Sequence, residues 1–242
     1  MPMHLLGISR RRDIASLPCH WSGGQPAAVR RLPTEAMGGA DCREVRWVVR
    51  GCLAAATVYP LPASFGPLDH ARLVAAIHAE ISILPVRYGA VLPGEEAVQD
   101  FLSSRGEDLS RDLGRVEGKS EIGLRIELAR GPAPAEPPAP NGSCPSDLSP
   151  AGYLAVRRAR YQWHDQLNTQ AQSAAETCVG ALKGLCRDWR RLSPEPLGTV
   201  RLAFLVERRL SEAFAARLEM LRAQRTGQRY TLVGPWPPYS FV

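Results

Sequence analysis

Ile122, Leu124, Ile126 and Leu128 alternate with Glu121, Gly123, Arg125 and Glu127, and further on Val200, Leu202, Phe204 and Val206 alternate with Arg201, Ala203 and Glu207. A period of two puts the apolar residues on one face, so each run predicts a strand with one dry and one wet side. The two strands are expected to pair. Between them, residues Tyr153 to Leu192 contain no proline, and Tyr161, Ala171, Ala175, Cys178, Leu182, Leu185, Trp189 and Leu192 recur at spacings of three and four. That spacing predicts one long helix. Gly180 and Gly184 weaken it by up to ~1 kcal/mol each relative to alanine. A second helix starts at Ser211, a good N-cap, carries Phe214, Leu218 and Leu221 on one face and ends at Gly227. Tyr230 to Val233 then predicts a last strand. Strand, long helix, strand, helix, strand is an α+β order, and a ferredoxin-like sandwich is expected here.

The first half repeats the class. Met3 to Ile8 and a stretch near Cys52 to Val58 predict strands, Leu68, Ala71, Val74, Ile77 and Ile81 a helical stripe, and Ile83 to Leu92 a strand in which Pro85 marks an edge or a bend. Glu95 and Glu96 sit where a helix N-terminus favours negative charge, with Val98, Phe101 and Leu102 behind them. Residues 130 to 150 are rich in proline and hold almost nothing that could enter a core, so they predict an extended loop. The expectation is two small α+β domains, residues 1–116 and 117–242, with the loop 130–150 inside the second.

The chain closes on Gly234-Pro235-Trp236-Pro237-Pro238-Tyr239-Ser240-Phe241-Val242. Three prolines make this segment stiff and unable to join the middle of a sheet. Each aromatic ring could remove ~150–250 Å² from water, so the tail is expected to seal a core, with docking of a partner as the second option.

An apolar fraction of 45% and a charged fraction of 22% over 242 residues suit a globular chain with a real core. No apolar run reaches the roughly 20 residues needed to span a bilayer. Met1 to Ile8 is too short for a signal peptide, and Arg10-Arg11-Arg12 follows its apolar part instead of preceding it, so a cytoplasmic protein with free thiols is expected. The net charge of +6 lies between Lys183 and Arg229, where 11 Lys/Arg face 5 Asp/Glu. A solvated face is the expected use of these charges; a nucleic-acid-binding α+β module using residues 183–229 is the alternative. The aromatic-rich signature of RNA-binding sheets is absent, and Asp188, Glu207 and Glu219 interrupt the basic run, so no nucleic acid is expected.

Nothing assembles into a catalytic site. Gly114-Arg115-Val116-Glu117-Gly118-Lys119-Ser120 is one residue short of a phosphate-binding loop, and a strand follows it where a helix is needed. His164 and Cys178, fourteen apart on one helix, stand ~21 Å from each other along its axis. His70 and His78 have no third ligand near them and are expected at the surface or an interface. Cys19, His20, Cys42 and Cys52 lack the spacing of a zinc site. Glu95-Glu96 and Glu107-Asp108 diverge around their helices and serve the helix N-termini. No catalytic, cofactor or metal residues are expected.

Two segments carry a resemblance. Ile83-Leu84-Pro85-Val86-Arg87-Tyr88-Gly89-Ala90-Val91-Leu92-Pro93-Gly94-Glu95-Glu96-Ala97-Val98 and the tail Leu232 to Phe241 resemble the gas vesicle GvpF/GvpL family. The likeness runs from about Leu68 to the C-terminus outside the loop. It departs at Tyr88 and Ala90, where phenylalanine and threonine are expected, and between Arg10 and Arg46, which leaves the F or L type open. The resemblance implies two α+β domains and a non-enzymatic accessory role in gas vesicle formation, at the vesicle and in the cytoplasm. It implies binding of the major shell protein GvpA, with other Gvp accessory proteins as further partners, and a chain monomeric when free. The family-motif residues are Leu84, Pro85, Arg87, Tyr88, Gly89, Gly234, Pro235, Trp236, Pro237, Pro238, Tyr239 and Phe241. Attachment through a strand edge near Pro85 to Val91, or through the tail with the basic face, would suit that role.

Overall fold

The computed structural model describes residues 2–15, 17, 29–31, 44–59, 65–129, 150–193, 196–225 and 227–242. The proline-rich loop from 130 to 149 and the Cys19, His20 and Cys42 grouping lie outside them. The chain forms two compact units: Met1–Glu121 together with Gly234–Val242, and Ile122–Val233. The division expected after residue 116 falls at Glu121, and the last nine residues, expected in the C-terminal domain, are grouped with the first.

The first unit is built on an antiparallel sheet. Its strands are β1 (Met3–Arg10), β2 (Val29–Arg31), β3 (Glu44–Arg50), β4 (Leu53–Val58), β5 (Leu84–Pro85) and β6 (Val91–Leu92), ordered β2-β3-β4-β1-β5 with β6 also on β1. Gly51, at φ 59°, turns β3 into β4 so that Arg50 faces Leu53. All six residues of β4 are buried, so both faces of the sheet are covered. On one face, Leu73, Val74 and Ile77 of helix α2 (Pro67–Glu80) pack with Leu6, Val45, Trp47, Ala54, Ala56 and Val58. α3 (Glu95–Ser104) packs on β3 and β4 and α4 (Gly106–Val116) on β1, burying Val98, Leu102, Leu109, Leu113 and Val116; a four-residue helix α1 (Arg11–Ile14) follows β1.

Three expectations are corrected in this unit. Leu68, at the first turn of α2, is 73% exposed, and Ala71 is exposed too, because the buried face of α2 runs through His70, Leu73, Val74 and Ile77. His70 and His78 are buried, not surface residues; His78 Nε2 lies 3.0 Å from the Ser120 hydroxyl. The strand expected from Ile83 to Leu92 is two short strands around a turn, since Pro85 and Gly89 break the ladder.

The second unit runs β7 (Lys119–Leu128), α5 (Pro150–Leu182), β8 (Asp188–Leu192), β9 (Thr199–Glu207), α6 (Ser211–Ala223) and β10 (Gln228–Trp236). The strand order β10-β7-β9-β8 for a βαββαβ chain is the ferredoxin-like arrangement, with the expected neighbours β7 and β9 at its centre. Ile122, Leu124, Ile126 and Leu128 meet Val200, Leu202, Phe204 and Val206 in a core closed by Phe214 and Leu218 of α6 and by Leu167, Ala171, Ala174, Ala175, Cys178 and Leu182 of α5. Phe204 and Phe214 stand edge to face at 5.1 Å, worth ~0.5–1.5 kcal/mol beyond their area.

The helix expected to reach Leu192 stops at Leu182. Gly184 lies in the single tight turn that follows, and β8 then pairs with β9, Asp188 opposite Leu205 and Leu192 opposite Arg201. Trp189 and Leu192 carry helical spacing by coincidence; the ladder offered by β9 outweighs it.

Candidate functional site

The twelve family-motif residues all lie in the first unit, in two places. The first is the outer edge of β1. Leu84 and Pro85 pair with Ile8 and Gly7, Val91 and Leu92 pair with His4 and Met3, Val86 N–H donates to Leu6 O at 2.9 Å and Leu5 N–H to Ala90 O at 2.9 Å. Residues 84 to 92 therefore occupy this edge themselves, and the attachment there by strand addition that the sequence suggested meets two-residue strands and a proline without a donor. Gly7 permits the approach: a Cβ on it would lie 2.6 Å from the Ile83 side chain and from Leu84 O. Gly89, at φ 95°, makes the turn and exposes Arg87 and Tyr88.

Beneath that turn sits a ring cluster that sequence reasoning missed. The Tyr88 hydroxyl donates to Phe65 O at 3.0 Å, and the Tyr88 ring lies 5.3 Å from His4, 5.8 Å from His70 and 6.2 Å from Phe65. His70 Nε2 is 2.8 Å from Val86 O, a group that only accepts, so the proton is on Nε2 and Nδ1 is the acceptor. His4 Nε2 must then donate to His70 Nδ1 at 3.0 Å. In the neutral pair, the form that burial favours, these two contacts set both tautomers. Burial, then the nearby His70, pushes His4 down to about 4, and burial lowers His70 as well.

The second place is the tail. Gly234, at φ 111°, passes so close to Glu121 that a Cβ would sit 2.8 Å from its carbonyl oxygen. The bond to Pro235 is cis. Pro237 and Pro238 are buried, and Tyr239 to Phe241 close a single 3-10 turn, with Tyr239 N–H donating to Pro237 O at 2.8 Å and Phe241 N–H to Pro238 O at 3.1 Å. Glu121, itself buried, accepts from the Ser240 N–H and hydroxyl, and Arg115 donates to Phe241 O. Tyr239 packs against the core under α2, and burial pushes its phenol up to about 12. Phe241 is wholly buried, whereas Trp236, expected to be part of the seal, is 50% exposed. Glu121 had shown itself only as the wet partner in an alternating strand, and nothing in the sequence marks it or Arg115 as a receiver of the tail.

The structure thus splits each motif segment. Leu84, Pro85, Pro237, Pro238 and Phe241 are buried, Tyr239 is half-buried, and Arg87, Tyr88, Gly89, Gly234, Pro235 and Trp236 are exposed. In the second unit, Arg209 and Arg187 both pair with Glu207, whose carboxyl they hold below its usual range, while Arg222 pairs with Glu219 and Arg229 with Glu127. A nucleic-acid backbone tracking residues 183–229 would have to displace these acids. Among the described residues no group of three His, Cys, Asp or Glu side chains could hold a metal, and no helix is long and apolar enough to cross a membrane.

Comparison with known proteins agrees with this layout. The model of the gas vesicle synthesis protein GvpL/GvpF family matches residues 22–242. Gas vesicle protein F of Streptomyces sp. (strain CB03234) is 26% identical over 221 residues, which cover 86% of this chain and 92% of the relative. Gas vesicle protein L of the same strain is 27% identical over 181 residues, covering 72% and 67%. The crystal structure of gas vesicle protein GvpF from Microcystis aeruginosa superposes with a TM-score of 0.70 at 13% identity, covering 99% of this chain and 98% of that one. That of GvpF from Anabaena sp. PCC7120 gives 0.70 at 16%, covering 99% and 97%. At such identities the two crystal structures speak to the fold alone.

Proposed function

The chain belongs to the gas vesicle GvpL/GvpF family, and from that premise we propose that it acts without catalysis, binding the major shell protein GvpA and limiting its aggregation while vesicles form. Membership gives it a role in gas vesicle formation. The finer reading starts from the shell's chemistry: a wall that keeps water out of a gas space needs subunits with apolar surface, and such surface aggregates until it is covered. A helper therefore needs apolar groups of its own within reach of solvent.

One observation supports the reading most. Tyr88 and Trp236, one from each motif segment, are 44% and 50% exposed, although the Tyr88 hydroxyl is tied to Phe65 O and the buried Pro237 and Pro238 follow Trp236. Large rings already held in place at the surface lose little freedom when a partner covers them. Other Gvp accessory proteins are further candidate partners.

The experiment is to refold purified GvpA with and without this chain, following light scattering, and to recover the pair by affinity capture. Delayed aggregation and co-capture support the proposal. Unchanged scattering with no capture, and normal vesicle formation in a deletion strain, would overturn it.

A further inference from the structure

Among the described residues the sheet of the second unit has two outer strands, β10 and β8, and they are built differently. β8 is five residues long and carries Asp188, Arg190 and Arg191, with Arg191 held by Gln172. Short, charged edges resist pairing with another chain. β10 is nine residues long and has no charged residue after Arg229. Within the second unit its Leu232 and Val233 are 38% and 45% exposed.

These two residues lie on opposite faces of the sheet, because successive side chains of a strand alternate. Tyr230, two before Leu232, enters the core, and Val233 lies across Gly123 on the other face, where a Cβ on Gly123 would come within 2.6 Å of Val233 Cγ2. A strand added along β10 would therefore meet an apolar neighbour on each face. On one side β10 is bonded to β7; the alternate N–H and C=O groups on its other side point away from the sheet. Pro235 has no N–H and ends such a ladder, which leaves about four to five residues for pairing.

We propose that β10 takes up an extended, uncharged, apolar strand of GvpA by main-chain pairing along Tyr230 to Gly234. The absence of charge selects this occupant, since a charged strand laid here would lose water without gaining a counter-ion. The inference rests on the function proposed above for the identity of its partner, but it moves the contact to an edge outside the motif residues Leu84 to Gly89.

Hydrogen exchange on the full-length chain, alone and with GvpA kept soluble as a carrier fusion, tests it. Exchange at those amides between Tyr230 and Val233 that point away from β7 is expected to slow by roughly tenfold or more in the complex, and Leu232→Lys to weaken binding by about tenfold while Trp189→Lys on the opposite edge leaves it unchanged. If GvpA binds but protection falls outside residues 230–234, the pairing is wrong and the proposed function stands. Protection of the same amides by raising the chain's own concentration assigns the edge to a second copy and overturns the inference. Failure of the wild-type chain to bind GvpA removes the function above and this contact with it.

Discussion

Ser240 seats both its backbone N–H and its hydroxyl on the carboxylate of Glu121, each at 2.7 Å, across 119 residues of sequence. A buried acid that accepts two donors from one residue pins the C-terminal turn at a defined place, and its loss strands those donors. Glu121→Ala is expected to cost about 2–3 kcal/mol, and Glu121→Gln, which keeps one acceptor, about half of that. Urea unfolding followed by circular dichroism measures both. Equal midpoints for wild type and Glu121→Ala would show that the tail is held by its rings alone.

The rings themselves divide the work. Phe241 is wholly buried and Trp236 half exposed. Phe241→Ala should cost ~3–5 kcal/mol and Trp236→Ala about 1 kcal/mol. The same two variants separate stability from binding, for Trp236→Ala is expected to weaken GvpA capture at nearly normal stability. A Trp236→Ala melt as low as that of Phe241→Ala would make the indole a core residue after all.

Gly7 is a packing requirement. An alanine Cβ there would meet Leu84 O at 2.6 Å, and a backbone atom paired into β1 cannot step aside cheaply. Gly7→Ala should destabilise by ~1–3 kcal/mol and loosen residues 84 to 92, read as faster exchange of the Val86 amide. Wild-type exchange at Val86 would contradict the close approach.

The His4 and His70 pair gives the stability a pH dependence. Because the folded chain holds His4 at about 4 against an ordinary 6.5, the unfolded chain binds more protons between these values. Stability is therefore fully present above pH 6.5 and falls as the pH drops towards 4. His70, lowered in the same direction, adds to the loss. In His4→Gln, which can still donate to His70 Nδ1, the unfolding midpoint should fall less steeply across that window. An identical slope would place the titration elsewhere.

Periodicity carried much of the fold. The alternation from Ile122 to Leu128 and from Val200 to Val206 names two central strands, and Phe214 with Leu218 names the inner face of α6, because burial of one face repeats at the period of the backbone. The same logic failed at Trp189 and Leu192, where five residues fit either period and only the edge of β9 decides between them. It also failed at Leu68 and Ala71, since a helix stripe read from apolar residues alone omits a buried histidine such as His70.

Membership of the family was legible in the sequence, and the physical role of each motif residue was not. Composition says that Pro235 to Phe241 is stiff and apolar; it does not say which ring finds a cavity. By itself the sequence determined the α+β class, the helix and strand periods, the stiffness of the tail and the lack of charge along β10, all local properties of neighbouring side chains. The folded chain alone shows that the tail groups with the first unit, that Glu121 and Arg115 receive it, that Trp236 stays at the surface and that β10 ends a sheet among the described residues. Each of these depends on which distant residue supplies a donor, a cavity or a strand edge, and sequence spacing does not encode that choice.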